Sequence, residues 1–332
     1  IVALGCVTNF FHLPGLEETA FTMKSLGDAI RVRNHLIEDL EAADFECAAG
    51  QRDSLLTVVV AGGGFSGVET IAGINDFLRG ATRWYKHLTE RQIRVVLVHP
   101  GGAILPELGE RLGAYAQKKL AARGVEIRVN TRVAAIRDGG VELNDGTVIP
   151  TCTLIWTAGT SPHPLSAALP CAAARGRIEV NGYMEAEGWP GVWAIGDCAA
   201  VPDAATGKAC PPTAQHAIRQ GRVLAHNVLA AIDGKPMRPF TFKTLGLLAA
   251  IGRRSGVANI LNFQFSGFFA WFLWRSIYLS KLPRFEKKAR VALDWALDLF
   301  FSKDLVQFQT ERSQNASVDV SALNRKSQSG SN

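Results

Sequence analysis

Leu55-Leu56-Thr57-Val58-Val59-Val60-Ala61-Gly62-Gly63-Gly64-Phe65-Ser66-Gly67-Val68-Glu69 is the stretch that decides the fold. The β-branched run Val58, Val59 and Val60 predicts a buried strand, and Gly62, Gly64 and Gly67 then fall on the GxGxxG spacing ahead of a helix-forming segment from Val68 to Leu78. In such a unit the first glycine permits a sharp turn and the second lets the backbone approach a pyrophosphate. The third lets helix pack closely on strand, while unpaired N–H groups at the helix start face the phosphates. A glycine-rich turn without a ligand would carry the same spacing. The context argues for a dinucleotide: a second apolar run, Ile93 to Val98, follows and ends at His99, where the ribose-contacting side chain should sit. An acidic residue there would accept the ribose hydroxyl and repel a 2′-phosphate. Histidine cannot do the second, so NADH against NADPH is open at this stage.

Outward from this unit, 332 residues allow two domains, and a hydrophobic content of 47% excludes the disordered and fibrous classes for the bulk of the chain. The net charge of +6 comes with no dense run of basic residues and interleaved aromatics outside the C-terminal quarter, which argues against nucleic acid and for a membrane surface. Cys6, Cys47, Cys152, Cys171, Cys198 and Cys210 form no CxxC pair, so neither a zinc site nor a redox disulfide is expected, and reduced thiols suit a cytosolic setting. No metal cluster and no Ser-His-Asp order stands out. The chain opens with Ile1 in an apolar run, residues 1–5, that reads as a strand begun mid-element, which suggests a fragment.

In chain order, residues 26–43 carry a helical pattern, 48–53 read as a polar linker, and a helical insertion is expected at 84–90. A helix at 109–123 precedes strands at 125–129, 132–137, 140–143 and 148–150, with Asn144-Asp145-Gly146 as a hairpin signal. Residues 154–159 and 191–199 read as further buried strands, the second ending in Gly196-Asp197, and Pro211-Pro212 opens a helix running to about Ile232. This alternation predicts an α/β protein built on a doubly wound parallel sheet with a small antiparallel flap.

From Leu245 the character changes. Residues 263–279 are aromatic-rich, but the uninterrupted apolar stretch from Gly267 to Trp274 is far shorter than the ~20 residues a spanning helix needs. Lys281, Arg284, Lys287, Lys288 and Arg290 follow. Phe285, Ala289, Ala292, Leu293, Ala296, Leu299 and Phe300 then share one helical face, opposite Lys287, Arg290, Asp294 and Asp298. Aromatic and cationic residues so arranged predict a helix lying in a membrane interface, with a dimerisation or core-packing face as the alternative. Residues 313–332 read as a disordered polar tail.

The stretch around Gly62 to Glu69, Trp156-Thr157-Ala158-Gly159, Ala194-Ile195-Gly196-Asp197-Cys198-Ala199 and Thr213-Ala214-Gln215-His216-Ala217 with Gln220-Gly221 together resemble the type II NADH dehydrogenases, single-subunit NADH:quinone oxidoreductases. Met23-Lys24-Ser25-Leu26-Gly27-Asp28-Ala29 with Arg33-Asn34-His35 is similar to theirs as well. The resemblance implies two Rossmann-like domains: an FAD domain in pieces, 1–53 and 160–245, an NADH domain at 54–159, and a membrane-associated module at 246–312. It implies hydride transfer from NADH to FAD and electron transfer on to a quinone, without proton pumping. The protein would be peripheral and monotopic on the cytoplasmic face of the cell membrane, with a homodimer open. One departure stands out: the family's first GxGxxG, which holds the FAD pyrophosphate and should lie roughly a hundred residues before Ile1, is not in this sequence, so the chain as it stands is expected to hold FAD poorly.

By the same resemblance Gly62, Gly64, Phe65, Ser66, Gly67 and His99 bind NADH, and Ala158 and Gly159 end a strand where ligands sit. Gly196 and Asp197 contact the FAD ribityl or phosphate region. Thr213, Ala214, Gln215 and His216 present a helix N-terminus to the isoalloxazine, whose reduced form is negative near its pyrimidine edge. Gln215 borders quinone and flavin, and Glu69 positions nicotinamide or supplies protons to the quinone, the two being the expected catalytic residues. Each has a structural alternative: a helix-capping Asp197, a polar Gln215-His216 pair in an ordinary first turn, a Glu69 that complements its helix. Alternatives at the level of function are a sulfide:quinone or ferredoxin-type reductase, or a nucleotide-binding fragment without catalysis.

Overall fold

The computed structural model describes residues 1–137, 139–297 and 305–308. At its centre lies a parallel sheet in the order Phe21–Thr22, β7 (Thr153–Trp156), β1 (Thr57–Ala61), β2 (Arg94–Val98), β3 (Val125–Arg128). β1 is buried along its whole length because it pairs on both sides, Val59 facing Leu154 and Val96 in register. Its side chains alternate between faces. Val58 and Val60 join Ile71, Leu97, Leu112 and Leu120 beneath helices α2 (Phe65–Ala81) and α3 (Glu110–Ala121). Val59 and Ala61 join Val141, Leu143, Ile149 and Trp156 beneath an antiparallel flap of β4 (Val133–Arg137), β5 (Gly140–Leu143) and β6 (Val148–Pro150). Each buried valine contributes about 1.5 kcal/mol or more, so one short run anchors two cores.

Helix α1 (Leu26–Phe45) covers the sheet edge and starts on a capping box: the Asp28 N–H donates to Ser25 Oγ, and the Asp28 carboxylate accepts from the Ser25 and Lys24 amides. Burial pushes the Asp28 carboxyl up, but the Arg31 guanidinium and those amides outweigh it and hold it down at about 2. Such a group stabilises fully above its ordinary value, and the contribution is lost as pH falls through the depressed one. Asp28→Ala is therefore expected to lose about 2 kcal/mol at neutral pH. In urea titrations the gap from the unsubstituted protein should close as pH approaches about 2; a gap independent of pH would contradict this account.

Helix α4 (Ala214–Ile232) follows, and then a three-stranded antiparallel sheet, β8 (Gly246–Ala250), β9 (Gly256–Ile260) and β10 (Phe263–Gly267). Ala249, Ile251 and Val257 enter the same core as Ile71 of α2. Helices α5 (Phe268–Lys281) and α6 (Phe285–Leu297) lie beyond, joined by Arg275, whose guanidinium sits between the Trp271 and Trp295 rings at 4.5 and 4.4 Å. The chain returns at 305–308, where Asn34 exchanges two hydrogen bonds with the Phe308 backbone and Arg33 donates to the Val306 carbonyl.

Several local expectations are corrected, among them the helical insertion at 84–90, which is two 3-10 turns, Thr82–Trp84 and Glu90–Gln92, on either side of a non-helical stretch. Residues 1–5 are not a strand: Val2 forms a single bridge to Ala194, and the ladder begins at Cys6, opposite Thr160–Pro162. The expected linker at 48–53 lies in a helix, Ala49–Leu55, since polar residues without a strong breaker do not forbid one. The run at 191–199 is broken by Gly191 and Gly196, at φ +79 and +75°, into isolated bridges and a 3-10 turn. The aromatic stretch from 263 begins as strand β10, because Leu261 and Asn262, at φ +49 and +69°, form a two-residue hairpin turn that pairs Phe263 with Ile260. Of the amphipathic helix, Leu299, Phe300 and Asp298 lie outside the described residues, as does the tail at 313–332.

Candidate functional site

The glycine turn closes as its spacing demands. Gly62, at φ +116°, donates its N–H to the Val98 carbonyl, and a side chain there would meet the Thr157 hydroxyl. At Gly67 a Cβ would overlap the carbonyl oxygen of Gly62, so only glycine lets α2 seat against β1. Gly64 is different: it is the N-cap of α2, makes no side-chain cap bond, and a Cβ on it would meet nothing within 4 Å. The helix start is therefore an open cradle of free N–H groups, suited to a pyrophosphate. Ser66 is exposed beside it, and Phe65 packs its ring on the core.

At the strand ends, Thr157 donates its hydroxyl to the Ala61 carbonyl at 2.8 Å and Ala158 packs on the flap core. Gly159 accepts from the Asn9 N–H at 3.1 Å and lies so close to Phe11 that a Cβ would strike its ring. His99 ends β2 with its ring turned back toward the glycines.

A second turn faces the first elements of the chain. Gly196 donates its N–H to the buried Gln220 side chain at 2.8 Å, and Asp197 accepts from the Cys6 thiol at 3.2 Å, which itself accepts from Lys24 Nζ at 2.7 Å. Lys24 and Gln220 sit inside motifs in the sequence, but nothing in the local pattern says that Cys6, 191 positions away, meets Asp197. At the start of α4 the Thr213 hydroxyl pairs with His216 Nδ1 at 2.8 Å rather than capping the helix, so the first amides stay open. His216 is buried edge-on against Phe242, and burial holds its pKa below the ordinary imidazole value.

The two expected catalytic side chains meet one strand. Glu69 Oε1 accepts the Ala250 N–H at 3.0 Å at the end of β8, and Gln215 Nε2 donates to the Gly246 carbonyl at 3.1 Å at its start. Four residues of extended chain separate these points, about 13 Å. Sequence spacing could not bring them together, because β8 is remote from both. Burial pushes the Glu69 carboxyl above its ordinary value. It is opposed by the Ala250 amide and by the Trp274 indole nitrogen, which lies near without completing a hydrogen bond of good geometry. One turn further along α5, burial and the Glu69 charge raise the Tyr278 phenol. Gly246 also lines a cavity of about 320 Å³ with Lys243, Leu245, Leu247, Asn259 and Leu261. Among the described residues no group of His, Cys, Asp and Glu is placed to hold a metal ion.

A parallel sheet with a dinucleotide turn, joined to a Gly-Asp turn beside an uncapped helix, defines an oxidoreductase of the two-dinucleotide class. Residues 1–221 match the pyridine nucleotide-disulphide oxidoreductase family and residues 245–304 match the NDH2 C-terminal domain. The chain belongs to that family, within its type II NADH dehydrogenases. It is similar to a probable NADH dehydrogenase of Dictyostelium discoideum, 32% identical over 93% of this chain and 68% of that protein. It is also similar to a type II NADH:quinone oxidoreductase of Mycobacterium tuberculosis, 32% identical over 90% of this chain and 66% of that protein. The chain thus spans about two thirds of these relatives' length. An NDH2 structure from Plasmodium falciparum in complex with NADH shares the fold, with a TM-score of 0.84 at 19% identity over 92% of this chain and 78% of that one.

Proposed function

We propose that the complete protein oxidises NADH, passes the hydride to FAD and delivers two electrons to a quinone, without pumping protons. The observation that carries this reading is the one strand, β8, that receives both Glu69 and Gln215 and has an open cavity at its Gly246 end. In this reading residues 54–159 form the NADH domain between the FAD-domain pieces 1–53 and 160–245.

NADH would lay its pyrophosphate on the amides at the start of α2, where Gly64 leaves the space. For FAD, Gly196 and Asp197 would hold the ribityl side and the open amides of Ala214 and Gln215 the ring edge that becomes negative. These residues fit that end of the cofactor; the pyrophosphate turn is not among the 332 residues. When bound, FAD supplies the two-electron relay between a hydride donor and a quinone. Gln215 orients the β8 main chain at the cavity. Glu69, with a carboxyl that keeps its proton to higher pH than an exposed glutamate, can hold and release a proton at Oε1 or Oε2, and a quinone takes up two on reduction. The test is an anaerobic absorbance titration of the complete protein. NADH should bleach the flavin and a quinone should restore it; bleaching without recovery on quinone would reject the acceptor assigned.

The same reading makes the protein peripheral on one leaflet, at the cytoplasmic face, where anionic lipids attract a basic cluster. No helix among the described residues is long and apolar enough to cross a membrane. Yet Phe269 is 77%, Phe285 81% and Leu293 60% exposed, in a segment whose Lys281, Arg284 and Lys287 are exposed as well. Aspartate at these three apolar positions together should cut co-sedimentation with anionic vesicles by more than about tenfold and leave the melting temperature within about 2 °C. Unchanged sedimentation would place the contact elsewhere.

A further inference from the structure

The residue at the end of the second strand of a dinucleotide fold usually reads the ribose 2′ position. Here its side chain is already engaged. His99 Nδ1 accepts the N–H of Gly63 at 3.0 Å, and the ring lies so close to Gly63 and Gly101 that a Cβ on either would strike it. Because Nδ1 accepts, the proton of the neutral ring sits on Nε2, and the nearby Ala103 backbone opposes burial in setting the ring's pKa. Gly63 in turn accepts from the Leu105 N–H at 2.8 Å, so the imidazole clamps the middle of the glycine turn to the loop that follows β2. A ring that accepts at one nitrogen and carries its proton on the other is neutral.

We propose that His99 is a positioning residue of the dinucleotide turn, and that its uncharged ring leaves the ribose 2′ position without charge discrimination, so that the site takes NADPH as well as NADH. The inference rests on the NADH-site reading above and deepens it: His99 serves the cofactor through Gly63 and not as a ribose ligand. Burial lowers the imidazole's pKa, which keeps the ring neutral at working pH. Glu107, on the turn that follows Leu105, is the charged group acting on the ring in the other direction; it is exposed and screened by solvent. From the neighbouring strand β3, Arg128 turns its guanidinium to Glu126.

The experiment is direct calorimetric binding of NADH and of NADPH to the full 332-residue chain and to His99→Glu and His99→Asn, from about pH 5 to 8. The two nucleotides should bind the unsubstituted chain within about tenfold of each other, and His99→Glu should widen the ratio against NADPH by about 100-fold through like-charge repulsion. Asparagine keeps a neutral acceptor for Gly63. His99→Asn should therefore retain both affinities and make them independent of pH, whereas the unsubstituted chain should lose affinity for both nucleotides as acid protonates Nδ1. A preference for NADH above about 100-fold, unmoved in His99→Asn, would overturn the inference and leave NADH as the donor. Binding of neither nucleotide would overturn both this inference and the site on which it rests.

Discussion

Replacing Glu69 by glutamine is expected to slow quinone reduction by about 100-fold in the complete, flavin-loaded protein while NADH affinity stays within about twofold. Glutamine is the informative substitution because its carbonyl oxygen can still accept the Ala250 N–H, which holds α2 to β8, so the packing of the two elements survives. What is lost is the exchangeable carboxyl proton. The sign of the pH dependence follows from the raised pKa: a buried carboxyl that supplies a proton is competent below its raised value and fails as pH climbs through it. The unsubstituted enzyme should show that falling limb, and Glu69→Gln should show a low rate without it. A variant with normal turnover, or one that kept the limb, would remove Glu69 from proton delivery and leave it a structural link between helix and sheet.

How much of this site was legible beforehand depended on whether its parts are local. The dinucleotide turn was readable because strand, glycines and helix are contiguous, and the tightest demand, a Cβ on Gly67 overlapping the Gly62 carbonyl, lies inside the same few residues. The meeting of Glu69 with Ala250 and of Gln215 with Gly246 was not, because it depends on how β8 packs across α2 and α4, a tertiary fact with no period in the sequence. Cys6 against Asp197 failed to register for the same reason. His99 is a subtler case: its position at the strand end was clear, but its rotamer was not, and the rotamer decides whether the ring meets ribose or Gly63. The apolar run at 191–199 predicts a continuous strand, but two glycines with positive φ end the pairing there.

The glycines themselves provide the sharpest separation of folding from binding. Gly67→Ala is expected to cost about 4 kcal/mol or more, because the added Cβ overlaps the Gly62 carbonyl and crowds the Thr157 hydroxyl, and neither can yield without shifting the chain just past β1 and β7. Gly64→Ala adds the same methyl three residues earlier, where no protein atom lies within 4 Å. Its φ of −76° and ψ of −172° suit alanine, so the melting temperature should stay within about 2 °C. The methyl instead fills the cradle and holds a pyrophosphate off the α2 amides. With two charge-assisted hydrogen bonds weakened at roughly 1.5 kcal/mol each, NADH affinity should fall by about 100-fold. Thermal melts and nucleotide titrations on the two variants decide the matter. If Gly64→Ala binds NADH normally, the start of α2 is not where the pyrophosphate rests; if Gly67→Ala melts normally, the seat of α2 on β1 is looser than this packing requires.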